Sequence, residues 1–161
     1  PIDVCATLSA GEVEAAFSDV ADAEVTSSKA SATTYANRCA YEVSIGARSP
    51  VELRVSVDDR WGILDGNCIG RDGGGEVTLS PAERACLVSS AMNGSWQLYL
   101  EQRSRTVSIE LRWPVRDARP PSTDAGRQVV ERLYASIAPA VVPGTEGERS
   151  RRQRQPWTTP A

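Results

Sequence analysis

The chain has no histidine, a single lysine at Lys29, a single methionine at Met92 and a single phenylalanine at Phe17. Without an imidazole, no Ser-His-Asp or Cys-His nucleophile can be assembled from this chain, and His-ligated zinc is excluded with it. No apolar run approaches the ~18 residues that a membrane-spanning helix needs. There is no C-x-x-C pair, and Cys5, Cys39, Cys68 and Cys86 lie too far apart for the close ligand pairs of a four-cysteine zinc site. A net charge of −3 supplies no basic field, and no helix-turn-helix, zinc-finger or aromatic RNA-binding pattern offsets that, so nucleic acid is not an expected partner. No cofactor-binding motif is legible.

What is present describes a globular domain. The chain has 161 residues, 40% of them apolar and 24% charged, which is enough to bury one core and is the composition of a soluble protein. The expected organisation is a single body over residues 1–139 and an extended Pro/Arg-rich tail over 140–161. An even number of cysteines without metal spacing reads as two disulfides, against the alternative of four reduced, buried thiols. Of the three connectivities, chain order favours Cys5 with Cys39 and Cys68 with Cys86, because each pair closes a local segment. That places the chain outside the cytoplasm. A start at Pro1, with the only methionine at Met92, reads as a processed product or a trimmed chain from which any targeting segment has gone.

Periodicity gives the elements. Ser9-Ala10-Gly11-Glu12 is a capping box, and Val13, Ala16, Phe17 and Val20 form one apolar helical face, so a short helix should run to about Phe17. Residues 19–34 show no sustained period and read as loop, with room for a short strand. CAYEVSI and VELRVSV alternate apolar and polar residues across the break GARSP, which predicts an antiparallel hairpin with one face in the core. DDRWGILDGN then leaves the sheet. Ser80-Pro81-Ala82-Glu83 reads as a turn before an extended CLVSSAM. Asn93-Gly94 is a type I′ hairpin signal leading into SWQLYLEQ, and after RSR the segment TVSIELRW alternates until Pro114. After a polar linker, Ser122, Thr123 and Asp124 offer caps to a helix with Val130, Leu133, Tyr134 and Ile137 on one stripe. The sum is α+β, an antiparallel sheet of about five or six strands packed by an N-terminal and a C-terminal helix.

The stretch DGNCIGRDGGGE, residues 65–76, is the most unusual in composition. As an EF-hand loop it puts Asp65, Asn67, Gly70 and Glu76 at ligand or turn positions. Ile69 falls where a ligand oxygen is needed and no helices flank it, so no metal is expected there. A phosphate cradle would need Lys and Ser/Thr after the glycines, where Glu76 and Val77 stand. The remaining reading is a glycine-rich excursion tied by Cys68 to Cys86. Asp58 and Asp59, with Asp65 and Asp72 nearby in sequence, are candidates for carboxylate catalysis of the glycosidase kind, against the reading that acids at strand ends are usually solvated. No catalytic residue is assigned. Trp61, Trp96 and Trp113 are core candidates, while Trp157, beside Arg149, Arg151, Arg152 and Arg154, is either part of a solvated tail or an interface anchor.

Val4-Cys5-Ala6-Thr7-Leu8-Ser9 before Glu12-Val13 and Ala16-Phe17, then Cys39-Ala40-Tyr41, then Cys86-Leu87-Val88 and a closing helix near Ile137 give a recognisable order. The pattern resembles small actinobacterial cell-envelope lipoproteins of unknown function, in which a C-x-L-L-T-x-x-E-V start precedes a C-x-W/Y strand. The resemblance implies export, lipidation at a cysteine upstream of Pro1 as the only tie to the membrane, and a curved sheet with flanking helices like the Mog1/PsbP class. It carries no catalytic residues. The expectation is a non-enzymatic envelope module that binds a small molecule or an envelope protein, with a sensor or inhibitor acting through protein contact as the alternative. Function concentrates on long loops, so the expected binding loop comprises Trp61, Asp65, Asn67, Asp72 and Glu76.

Overall fold

In a computed structural model the chain is described over residues 2–46, 50–60, 62–90, 94–114 and 122–142. Trp61, Asn93 and the stretch 143–161 with Trp157 and its arginines lie outside the described residues.

Two short helices open the chain, α1 (Val4–Thr7) and α2 (Ala10–Ala16). Ser9 caps α2 as its sequence predicts, accepting from Glu12 N and donating to the Glu12 carboxylate, both at 3.2 Å. Seven strands follow in one antiparallel sheet: β1 (Glu24–Ala32), β2 (Ala36–Ser44), β3 (Val51–Asp58), β4 (Gly74–Val77), β5 (Arg84–Ser90), β6 (Ser95–Gln102) and β7 (Arg105–Arg112). A helix, α3 (Ile63–Asn67), lies between β3 and β4, and α4 (Thr123–Ile137) closes the domain. The order across the sheet is β1-β2-β3-β7-β6-β5-β4, two antiparallel meanders joined where β3 pairs with β7.

Seven strands exceed the five or six expected, and the two additions are the two edges. β1 occupies what reads as loop, because nearly all its side chains are exposed and no burial pattern imposed an alternation on EVTSSKASA. A main-chain hydrogen bond from Val25 to the Glu14 carboxylate at 2.9 Å joins this strand to α2. β4 is cut from the glycine-rich stretch itself. A side chain at Gly74 would place its Cβ 2.4 Å from the carbonyl oxygen of Cys68, so this strand can fold back against α3 only as glycine. The segment before it also departs from the loop reading, since ILDGN is helical. At the other end, residues 138–140 form a 3₁₀ turn and Val141 is buried, so the packed body passes beyond residue 139.

One face of the sheet is fully committed. Tyr41, Leu53, Val55, Val107, Ile109, Leu111, Trp96, Leu98 and Leu100 are buried there under α1, α2 and α4, with Val130, Leu133, Tyr134 and Ile137 supplying the helical stripe. Polar pins fix the layers. The Tyr41 hydroxyl donates to Leu8 O at 2.6 Å, and Tyr134 donates to the Gln102 side-chain oxygen at 2.6 Å while Gln102 donates to Ala138 O at 3.0 Å. Cys5–Cys39 sews α1 to β2. On the other face a small cluster of Leu64, Cys68, Cys86 and Val88 seats α3, with Cys68–Cys86 as its covalent tie. Both pairings are those that chain order favours, and they mark an oxidising, extracytoplasmic compartment. Among the described residues no helix is long and apolar enough to cross a membrane.

Two predictions test this packing. A Cβ on Gly126 of α4 would stand 2.0 Å from the Trp96 indole, so Gly126→Ala should lower unfolding free energy by about 2 kcal/mol or more despite alanine's better helix propensity, read by urea denaturation. Burial pushes the Tyr41 and Tyr134 hydroxyls up from 10.0 to about 12. The unfolded chain therefore releases these protons first, so stability is intact below pH 10 and falls as pH rises toward 12. Urea midpoints across that window should drop, and the drop should shrink in Tyr134→Phe.

Candidate functional site

The residues expected to form a binding loop are only partly brought together. Asp65 on α3 and Glu76 on β4 converge, but on a cation of the chain itself: the Arg84 guanidinium lies 3.0 Å from Asp65, 3.5 Å from Glu76 and 4.0 Å from Glu101. The hydrogen bond to Asp65 raises the Arg84 pKa above its ordinary value, so the charge is permanent and these acids are held by it. Asn67 turns its amide back to Ile63 O at 3.0 Å, within its own helix. Asp72 is exposed on the far side, where with Arg71, Ser90, Gln97 and Arg112 it lines a hollow of about 610 Å³. Among the described residues no three acidic or cysteine side chains are grouped to hold a metal ion.

The acids at the end of β3 are engaged in the same way. Asp58 is buried and accepts from the Arg60 main chain at 2.8 Å and from its guanidinium at 3.0 and 2.8 Å. That hydrogen bond raises the Arg60 pKa, and Arg60 stacks over the Tyr35 ring at 5.2 Å. Asp59 lies 2.9 Å from Nε of the buried Arg105. Each carboxylate thus has a guanidinium, and the pairs fix the chain as it leaves the sheet. Two acids facing each other across a cleft, the geometry of glycoside hydrolysis, is not what Asp58 and Asp59 form.

The open half of the sheet is different. Alternation places Arg38, Ala40 and Glu42 of β2, Glu52, Arg54 and Ser56 of β3, and Ser108, Glu110 and Arg112 of β7 on the face that carries no long helix. A hollow of about 380 Å³ opens there, lined by Ser31, Arg38, Arg54, Ser56, Ser108 and Glu110. Its floor is made of small side chains, with Ala40 beside a hydrogen bond of 2.7 Å between the Ser56 and Ser108 hydroxyls across the β3–β7 pairing. In the registry of β2 and β3, Arg38 faces Ser56 and Ala40 faces Arg54, so the two arginines are diagonal neighbours on one face, a separation within reach of long side chains.

Their electrostatics are unlike those of the loop. Glu110 is the cross-strand partner of Arg54, yet the ion pair it makes is with Arg112 at 3.2 Å. Neither Arg38 nor Arg54 has a carboxylate within ion-pair distance among the described residues, and both are exposed. Arg60, Arg84, Arg105, Arg112, Arg127 and Arg132 all have one. Two guanidiniums with no acid partner among the described residues, above a serine floor, make the hollow rich in hydrogen-bond donors and positive charge.

Sequence reasoning passed over Arg38, Arg54, Ser56 and Ser108. The signal was present in the polar phase of the alternating strands, which assigns all four to one face. Their juxtaposition depends on the pairing of β2 with β3 and of β3 with β7, and the second of these joins segments some fifty residues apart. Compared with protein-family models, curated proteins and solved structures, the chain matches none.

Proposed function

We propose that the protein is an exported envelope module that binds its ligand on the open half of the outer sheet face, beside the half that α3 covers, and does no chemistry on it. The reading is carried by the hollow over Ser56 and Ser108, where Arg38 and Arg54 stand without counter-acids while the carboxylates that could act as acid or base are held by Arg60, Arg84 and Arg105. Export is supported by the two disulfides, and the resemblance to actinobacterial envelope lipoproteins is consistent with a module held at the cell surface. A hollow of this size on a rigid sheet, enclosed only on one side, suits part of a ligand or an extended segment more than an engulfed small molecule. The glycine-rich stretch serves this reading as structure: with α3 and its disulfide it covers the other half of the same face and leaves the arginine half open.

Arginine-directed covalent footprinting read by peptide mass spectrometry tests the assignment. In the free protein Arg38 and Arg54 should react readily and the buried Arg105 should not. Adding envelope material from the exporting host should protect Arg38 and Arg54 and leave Arg127, on the helical side, unchanged. Protection confined to Arg71 and Arg84 would return the site to the glycine-rich loop and defeat the proposal.

A further inference from the structure

Resting on that reading of the open face, we infer that the hollow takes a phosphate monoester, presented by a soluble or polymer-borne molecule and not by a bilayer. The geometry names the anion. Arg38 and Arg54 rise from different strands, diagonal across the β2–β3 pairing, and both line the hollow, so an anion in it has a guanidinium on two sides. A carboxylate has two oxygens in one plane, whose shared edge engages one guanidinium fork, whereas a phosphate monoester has three terminal oxygens in a tetrahedral arrangement, with edges facing different directions, and a charge near −2 at neutral pH. Two forks on different edges share one of its three oxygens, and the remaining lone pairs can accept a further donor.

The floor supplies the third donor. In the bond between Ser56 Oγ and Ser108 Oγ one hydroxyl donates and the other accepts. The accepting hydroxyl keeps its own hydrogen, for which no acceptor stands within hydrogen-bonding distance among the described residues, and both side chains are half-buried under the hollow. Glu110 also lines the hollow and would repel an anion, but its charge is answered by Arg112. Lys29 on β1 faces Ala40 on the same side and adds to the positive field. The surroundings decide the source. No aromatic side chain lines the hollow, and the one large apolar side chain exposed among the described residues, Val142, is not among its lining residues, so among the described residues none at the anion site offers a large apolar anchor for acyl chains.

Isothermal titration of the full chain with glycerol 3-phosphate, with succinate as a phosphate-free dianion and with phosphatidylcholine vesicles containing phosphatidate, tests this. Saturable binding of glycerol 3-phosphate at one site per chain is expected, weakened about tenfold or more by Arg38→Ala and by Arg54→Ala alike and unchanged by Arg127→Ala, the scale of losing one charge-assisted donor. Neither arginine makes an ion pair among the described residues, so both variants should keep the parent urea midpoint, which separates lost binding from lost structure. Equal binding of succinate would overturn the phosphate assignment, and binding of vesicles but not of glycerol 3-phosphate would overturn the soluble source. Absence of any binding would end the phosphate inference while leaving the binding face standing if envelope material still protects Arg38 and Arg54. Loss of that protection as well would remove both.

Discussion

The pairing of β3 with β7 is the contact on which the rest depends. It joins two meanders that are each local, β1 to β3 and β4 to β7, into one sheet, and it sets which side chains face which way. Val55 opposite Ile109 and Leu53 opposite Leu111 put the apolar phase under the helices. Ser56 opposite Ser108 puts the polar phase on the other side. Side chains alternate with a period of two, so a slip of one residue would bury Arg54 and expose Val55, and the core would resist it at every position along eight-residue strands. The same constraint that secures the core therefore fixes the hollow. Its floor is made at this seam and its walls are one strand away.

The helices act as a single cover for the inner face and are anchored mainly by their ends. α1 is pinned by Cys5–Cys39 and by the Tyr41 hydroxyl on Leu8 O, α2 contacts α4, and the Arg132–Asp19 ion pair bridges the start and end of the domain. α4 lies closest to the sheet where Gly126 meets Trp96, and its last turn is held by Tyr134 and Gln102. These contacts are spread along the chain from its beginning to Val141, which is why two helices of four and seven residues, too short to be stable alone, persist. The outer face receives only α3 and the glycine-rich fold-back, over β4 to β6. Its other half is left to water.

Where burial is one-sided, the sequence reveals its structure. β2, β3, β6 and β7 alternate because one face of each meets the core, and α2 and α4 start at serine caps whose side chains accept from the next turn. The misses have the complementary cause. β1 is solvated on both faces and so has no phase to read, and its strand character comes from pairing with β2 alone. β4 is glycine for close approach to Cys68, and composition that signals a loop in isolation is here the means of adding an edge strand. Asp65 and Glu76 were read as a set because they are near in sequence, and they do meet, but the partner that turns them from a cation site into an ion-pair cluster, Arg84, arrives from β5. The arginines of the hollow were invisible for the same reason: each is an ordinary polar residue on an alternating strand, and only registry makes them neighbours.

An open sheet face must be polar, and polarity alone would be satisfied by paired charges. The lattice of this face offers that solution, because Arg54 stands opposite Glu110 and Glu52 stands opposite Arg112. Pairing across the strands would cancel the charge of the seam. Instead Glu110 bonds along its own strand to Arg112, and among the described residues Arg54, like Arg38 one strand further, has no acid within ion-pair distance. Two like charges at diagonal positions repel each other, weakly in water, and contribute nothing to folding. Of the arginines with a described carboxylate contact, four join separate elements: Arg60 and Arg105 where the chain leaves β3, Arg84 at α3, and Arg132 between the chain's two ends, while Arg112 and Arg127 pair within their own strand and helix. Arg38 and Arg54 hold no junction. Their exposed, uncompensated charge over a small hydroxyl-floored hollow is what distinguishes this patch from a merely solvated sheet, and it is the property an anionic ligand would use.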